Sequence, residues 1–135
     1  MKSILVPAET EKLETVQEFV EAELDKWDCA PRTRIQLSVA VDEIFANIAS
    51  YAYVPEHGDT EIQLEVLEDP RRLELRFLDS GVPFDPLARE DADTSPEALQ
   101  SRIGGLGILI VKKTMDEVRY AYADGKNILT IVKNF

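Results

Sequence analysis

The stretch Glu61-Ile-Gln-Leu-Glu-Val-Leu-Glu-Asp-Pro-Arg-Arg-Leu-Glu-Leu-Arg-Phe-Leu-Asp79 decides the fold. Ile62, Leu64 and Val66 alternate with polar residues, as do Leu73, Leu75 and Phe77, and a period of two puts each set on one face of a strand. Glu68-Asp-Pro-Arg71 between them reads as a reverse turn, so the two strands form an antiparallel hairpin with one apolar face. A single apolar face has to be covered by another layer.

Candidates for that layer lie on both sides of the hairpin. Upstream, Glu9 to Asp28 follows a helical period, with Leu13, Val16, Phe19, Val20 and Leu24 on one stripe. Thr33 is read as the cap of a second helix, in which Leu37, Val41, Ile44, Phe45 and Ile48 recur every three or four residues up to about Tyr53. Pro55 and Gly58 stop it. Ahead of both, Ile4 and Val6 read as an edge strand ended by Pro7. Downstream, Asp85 to Arg102 is acidic and contains Pro86 and Pro96, which reads as a loop or lid with one helical turn after Thr94-Ser95-Pro96. Ile108 to Met115 is a short apolar helix, and Val118 to Tyr122 and Ile128 to Val132 form a second hairpin turned at Asp124-Gly125. The pattern predicts an α+β fold, a two-layer sandwich with helices on one face of a mixed, mostly antiparallel sheet. It spans residues 1–135 as one domain, long enough to bury roughly two thirds of its unfolded surface.

Composition narrows the function. A formal net charge of -11 and a pI near 4.5 disfavour a nucleic-acid partner, because phosphate backbones are bound through clustered Lys and Arg. Cys29 is the single cysteine, so neither an intramolecular disulfide nor a cysteine-built zinc site can form, which fits a reducing cytoplasm. Met1-Lys-Ser-Ile-Leu-Val-Pro7 is too short an apolar run for a signal peptide or membrane span, so a soluble cytoplasmic location is expected. His57, the lone histidine, lies in a loop-like segment and is read as a surface residue.

Three places have the residue types of a nucleotide site. On the second helix Glu43 and Asn47 are four apart and share a face at the rim of the apolar stripe. A carboxylate and an amide there suit proton abstraction from a hydroxyl and an oxygen shell for Mg²⁺, against the alternative of an ordinary solvated helix face. Asp79 has the parity of Leu73, Leu75 and Phe77, which puts its carboxylate at the inward end of an apolar row. A buried charge needs partners, and an exocyclic amine such as adenine N6 is one, with Gly81 letting a flat ring approach the backbone. A turn built on Asp79-Ser-Gly81 before Pro83 is the competing reading. Gly104, Gly105 and Gly107 precede an apolar helix, an arrangement in which free N–H groups receive phosphate, while a flexible tether is the plainer alternative. Arg102 beside them could reach a terminal phosphate, against the plainer reading of a surface arginine. Neither the G-x-G-x-x-G spacing nor a P-loop ending in Lys-Ser/Thr is present.

The segments Val41-Asp-Glu-Ile-Phe-Ala-Asn47, Asp79-Ser-Gly-Val-Pro-Phe-Asp-Pro86 and Gly104-Gly-Leu-Gly-Ile108 resemble the N, G1 and G2 boxes of the GHKL ATPase superfamily. Within it, the chain looks most like the stand-alone anti-sigma-factor serine kinases of bacterial partner-switching systems, over about Gln36 to Lys133. The resemblance implies ATP and Mg²⁺ in a Bergerat-type pocket. Asp79 would meet the adenine amine, Gly81 would lie beside the ring, Asn47 would bind Mg²⁺, and Gly105 and Gly107 would lie at the phosphates. Glu43 would be the general base that activates a serine on an anti-sigma antagonist. A sigma factor as second partner and a homodimer are also implied, and a non-catalytic, nucleotide-responsive protein-binding module is the alternative.

Two positions depart from the pattern. Tyr51-Ala-Tyr53 stands where related kinases have His-Ala-Tyr or His-Gly-Tyr, and Gly125-Lys-Asn127 stands where Gly-Thr is usual. Asn127 is expected to replace the threonine near adenine.

Overall fold

The computed structural model describes residues 1–53, 56–87 and 105–135. In chain order its elements are β1 (Lys2–Pro7), α1 (Leu13–Leu24) after a 3₁₀ turn at Thr10–Lys12, α2 (Pro31–Asn47), a π-helical turn at Ile48–Ala52, β2 (Asp59–Leu67), β3 (Arg72–Asp79), α3 (Gly105–Thr114), β4 (Glu117–Ala123) and β5 (Lys126–Asn134). The five strands form one sheet in the order β1-β2-β3-β5-β4, and all four neighbouring pairs are antiparallel. The hairpin read first from the sequence is therefore the centre of the sheet.

Several helix boundaries differ from the sequence expectation, among them the start of α3 at Gly105 rather than Ile108. Helix α1 starts only at Leu13, because Thr10–Lys12 winds as a 3₁₀ turn, and it ends at Leu24 rather than Asp28. Helix α2 starts at Pro31, two residues before Thr33. Proline at the first helical position has its φ preset and lacks the N–H that would be left unbonded there, and it forces Ala30 into the extended region, with ψ 143°. Thr33 thus lies inside the first turn and caps nothing. The β4–β5 turn is as expected: Asp124 and Gly125 have φ of 55° and 74°, both in the left-handed region that a two-residue hairpin loop requires.

The core lies between the helices and one face of the sheet. Val16, Val20 and Leu24 of α1, Leu37, Val41, Ile44 and Phe45 of α2, and Val111 of α3 pack on Ile62, Leu64, Leu73, Leu75, Phe77 and Ile131. Each large side chain removed from water in this way contributes about 1.5–3 kcal/mol. The opposite face carries charge ladders, with Arg119 between Glu74 and Glu117 and Arg76 beside Glu74. At one end the apolar face gives way to a polar row across three adjacent strands, Thr60 opposite Asp79 and Asp79 opposite Asn127, all buried.

Candidate functional site

Asp79 ends β3 on the core side, as its parity requires, and is only 6% exposed. Its Oδ1 accepts hydrogen bonds from the Gly81 N–H at 2.9 Å and from Asn127 Nδ2 at 3.0 Å. The turn reading and the buried-carboxylate reading are thus both realised in one residue: the Asp-Ser-Gly turn closes on a carboxyl group that the sheet holds in place.

Gly81 is required by its neighbours. A β-carbon there would lie 2.7 Å from the carbonyl carbon and 2.8 Å from the β-carbon of Ala52, and the next N–H, of Val82, donates to the Ala52 carbonyl at 3.1 Å. The end of the π-helical turn is therefore seated directly on the segment after Asp79. Tyr53 makes a second clasp: its hydroxyl donates to the Asp59 carbonyl and accepts from the Ser80 N–H, both at 2.7 Å. Gly58 lies against that ring, since a β-carbon on it would be 2.5 Å from Tyr53 Cδ1. Tyr51, by contrast, is 61% exposed and belongs to neither core nor clasp.

Glu43 and Asn47 lie partly buried on α2, at the rim of the buried Val41, Ile44 and Phe45. The side chain of Glu43 reaches the start of α3, where a β-carbon on Gly107 would stand 2.6 Å from Glu43 Cδ. Only glycine at 107 admits the carboxyl group so close. The first turn of a helix has N–H groups without intrahelical partners and the positive end of the helix dipole, so this corner suits anions. Gly105 opens α3. Arg102 and Gly104 lie outside the described residues, as does most of the segment expected to form a lid.

Glu43, Asn47 and Ala52 thus string the site along one helical rod, with the Glu43 and Ala52 ends on the order of 13 Å apart. One end meets the glycine at the start of α3, the other the glycine after Asp79. An open depression lined by Asp79, Ser80, Tyr53, Leu5, Leu78 and Lys126 lies at the Asp79 end and includes none of Glu43, Asn47 and Gly107.

Asn127, the residue expected near adenine, lies beside Asp79. It is 7% exposed, and its amide is engaged with the protein on every side. Nδ2 donates to Asp79 Oδ1 and to the Val82 carbonyl, each at 3.0 Å, while Oδ1 accepts from the Phe84 N–H at 3.1 Å and from the Tyr120 hydroxyl. Burial, with the nearby Asp85 and Asp79 charges, pushes the Tyr120 hydroxyl above its ordinary pKa, against a lowering by the Phe84 backbone, so it stays a proton donor. Thr60, across the strand from Asp79, is fully buried, and its hydroxyl has no hydrogen-bond partner among the described residues.

Tyr53, Thr60 and Tyr120 are the residues that sequence reasoning did not assign to the site. Thr60 was accessible through parity, as it continues the Ile62, Leu64 face. Tyr53 and Tyr120 act through their ring-end hydroxyls on other elements, which spacing does not report.

Among the described residues no group of three or more His, Cys, Asp or Glu side chains is disposed to hold a metal ion, and no helix is long and apolar enough to cross a membrane. Mg²⁺ is commonly held by one or two protein oxygens together with phosphates and water, and Asn47 suits that kind of site.

Residues 6–133 match the family described as "Histidine kinase-like ATPase domain". The chain is 34% identical over 97 residues to serine-protein kinase RsbW of Listeria monocytogenes serovar 1/2a, covering 69% of this chain and 61% of that protein. It is 31% identical over 117 residues to serine/threonine-protein kinase BtrW of Bordetella bronchiseptica, covering 82% and 75%. The chain thus spans about three fifths of the length of the Listeria relative. Among solved structures, a chain of the Pseudomonas aeruginosa SiaB-SiaC complex superposes with a TM-score of 0.60 at 14% identity, covering 100% of this chain and 90% of that one. Acinetobacter baumannii histidine kinase AdeS gives 0.52 at 16% identity, covering 99% and 68%. At these identities the two share its fold.

Proposed function

The chain belongs to the histidine kinase-like ATPase domain family, and from that premise we propose that residues 1–135 act as one ATP-binding domain with serine/threonine protein kinase activity. Its substrate in this reading is an anti-sigma antagonist protein of a bacterial partner-switching system, and a sigma factor is its second partner. We place it in the cytoplasm and expect a homodimer. The serine- and serine/threonine-protein kinase relatives support the reaction class. The observation that carries the reading is the meeting of Glu43 with Gly107 at the start of α3, four residues from Asn47, on the same rod that meets Gly81 beside Asp79.

Each residue has a role that its position suits. The buried Asp79 accepts a hydrogen bond from the amine of the base, with Gly81 at the ring. Gly105 and Gly107 leave backbone N–H groups of the α3 start open to phosphate oxygens, and Arg102 and Gly104, outside the described residues, are assigned to the same phosphates from the sequence alone. Asn47 offers an oxygen to Mg²⁺, which when bound supplies positive charge against the phosphates. Glu43 takes the proton from the incoming serine hydroxyl. Phosphoryl transfer of this kind needs positioning and charge rather than a covalent protein intermediate, and a rigid rod with a glycine contact at each end provides positioning.

The test is transfer of label from γ-labelled ATP to the cognate antagonist. Label is expected on a partner serine with the parent protein, and Glu43→Ala is expected to abolish it while Mg-ATP binding is retained. Equal transfer by parent and variant would remove Glu43 from the chemistry. Absence of transfer in both, with nucleotide binding intact, would leave a nucleotide-responsive binding module.

A further inference from the structure

Glu43 is a partly buried carboxylate whose head lies at the start of α3, where a β-carbon on Gly107 would stand 2.6 Å from Glu43 Cδ. A β-carbon is about 2.5 Å from the nitrogen of its own residue, which puts the carboxyl carbon within about 5 Å of the Gly107 nitrogen. A phosphate oxygen accepting that N–H at about 2.9 Å would then stand within about 8 Å of the carboxylate. Among the described residues no lysine or arginine is paired with Glu43. The neighbouring Asp42 is turned elsewhere: it is exposed, and its Oδ1 accepts from Gln17 Nε2 of α1 at 2.6 Å. Of these two adjacent acids, Glu43 faces α3 and Asp42 faces α1.

The corner therefore carries two opposed preferences. The free N–H groups and the dipole of α3 attract a phosphate, and the carboxylate beside them repels it. We propose that Glu43 makes the site selective for nucleotide that carries a divalent cation, by repelling phosphates whose charge no cation offsets. This rests on the ATP-binding reading above. Two like unit charges about 8 Å apart at a partly buried site repel enough to lower affinity on the order of tenfold. A divalent cation offsets two charges of the triphosphate, and the repulsion falls with them. Asn47, one turn along α2 from Glu43, cannot do this alone: an uncharged amide oxygen favours the cation but does not disfavour the nucleotide that lacks one. Discrimination of this kind needs an unfavourable contact with the wrong ligand as well as a favourable one with the right one.

Calorimetric titration of ATP in EDTA and of Mg-ATP against the parent, Glu43→Gln and Asp42→Asn tests this. The parent is expected to prefer Mg-ATP by more than about tenfold, and Glu43→Gln, which keeps the shape and removes the charge, to bind metal-free ATP about tenfold more tightly with Mg-ATP affinity changed by less than about threefold. Asp42→Asn removes the same charge one residue away and should leave the parent preference in place. Glu43→Ala is the second variant and should narrow the preference as Glu43→Gln does. A Glu43→Gln protein that keeps the parent preference overturns the proposal, as does a preference narrowed only by loss of Mg-ATP affinity, which a merely structural role would produce. Equal narrowing by Asp42→Asn also overturns it, because the effect would then belong to net charge. If the folded parent binds neither form, the ATP reading itself fails, a result distinct from a parent that binds both forms equally.

Discussion

Glu43 occupies the space in which a side chain at position 107 would begin: a β-carbon on Gly107 would stand 2.6 Å from Glu43 Cδ. Two helices far apart in the sequence meet there without a spacer. Gly107→Ala is therefore expected to push the carboxyl group away while the buried α3 residues Leu109 and Val111 keep the helix seated. A displacement of about 1 Å at a reacting group costs on the order of 10²-fold in rate. Phosphotransfer to the antagonist should fall by about that factor with Mg-ATP affinity changed far less. Unchanged transfer would show that Glu43 does not work from this position.

Asp79→Asn is the corresponding test at the other end of the rod. It keeps the shape but removes the charge that receives the Gly81 and Asn127 donors. A hydrogen bond to a charged group is worth about 1.5–3 kcal/mol, so Mg-ATP affinity measured by calorimetry should drop about 10- to 100-fold. Affinity equal to the parent would place the base elsewhere.

Thr60→Val replaces a buried hydroxyl that has no partner among the described residues. Burying an unsatisfied polar group costs about 1–3 kcal/mol, so the variant is expected to be more stable by about 1 kcal/mol in urea unfolding. A loss of that size would mean that the hydroxyl is bonded in solution.

Lys2 of β1 reaches across to Glu23 of α1 at 2.6 Å, and this contact, aided by Lys26, holds the Glu23 carboxyl below its ordinary range against the opposing effect of burial. A carboxyl group with a lowered folded-state pKa contributes stability above its unfolded value of about 4.3 and loses it as pH falls through the folded value. Lys2→Met should therefore be less stable than the parent at pH 7, and the difference should shrink on acidification below the carboxylate range. Unfolding midpoints at pH 7 and pH 3 check this; a difference that persists at pH 3 would mean that Lys2 acts through packing alone.

Much of the fold is legible in the sequence, because it rests on periodicities that tertiary packing reinforces. The alternation in Ile62, Leu64, Leu73, Leu75 and Phe77 gave the central hairpin, the stripes of Val16, Val20, Leu37, Val41 and Ile44 gave its cover, and Asp124-Gly125 gave the last turn. The start of α2 was misplaced because a capping threonine and a first-turn proline compete as start signals, and the proline acts on two dihedral angles at once, its own and that of Ala30. Parity also put Asp79 inside the molecule, for the same reason that it buried Phe77.

What the sequence determined by itself is thus the class of fold, the burial of Asp79 and the shared face of Glu43 and Asn47, all of which depend on spacing within one element. Only the tertiary structure decided what each of these residues touches. It brought Glu43 against Gly107, set Ala52 on Gly81, gave Tyr53 to the Asp59 and Ser80 backbone, and hydrogen-bonded Asn127 to Asp79. Each of these contacts joins elements separated by a turn, a strand or more than forty residues. Their distances are set by how the helices pack on the sheet, a quantity that no local period in the chain encodes.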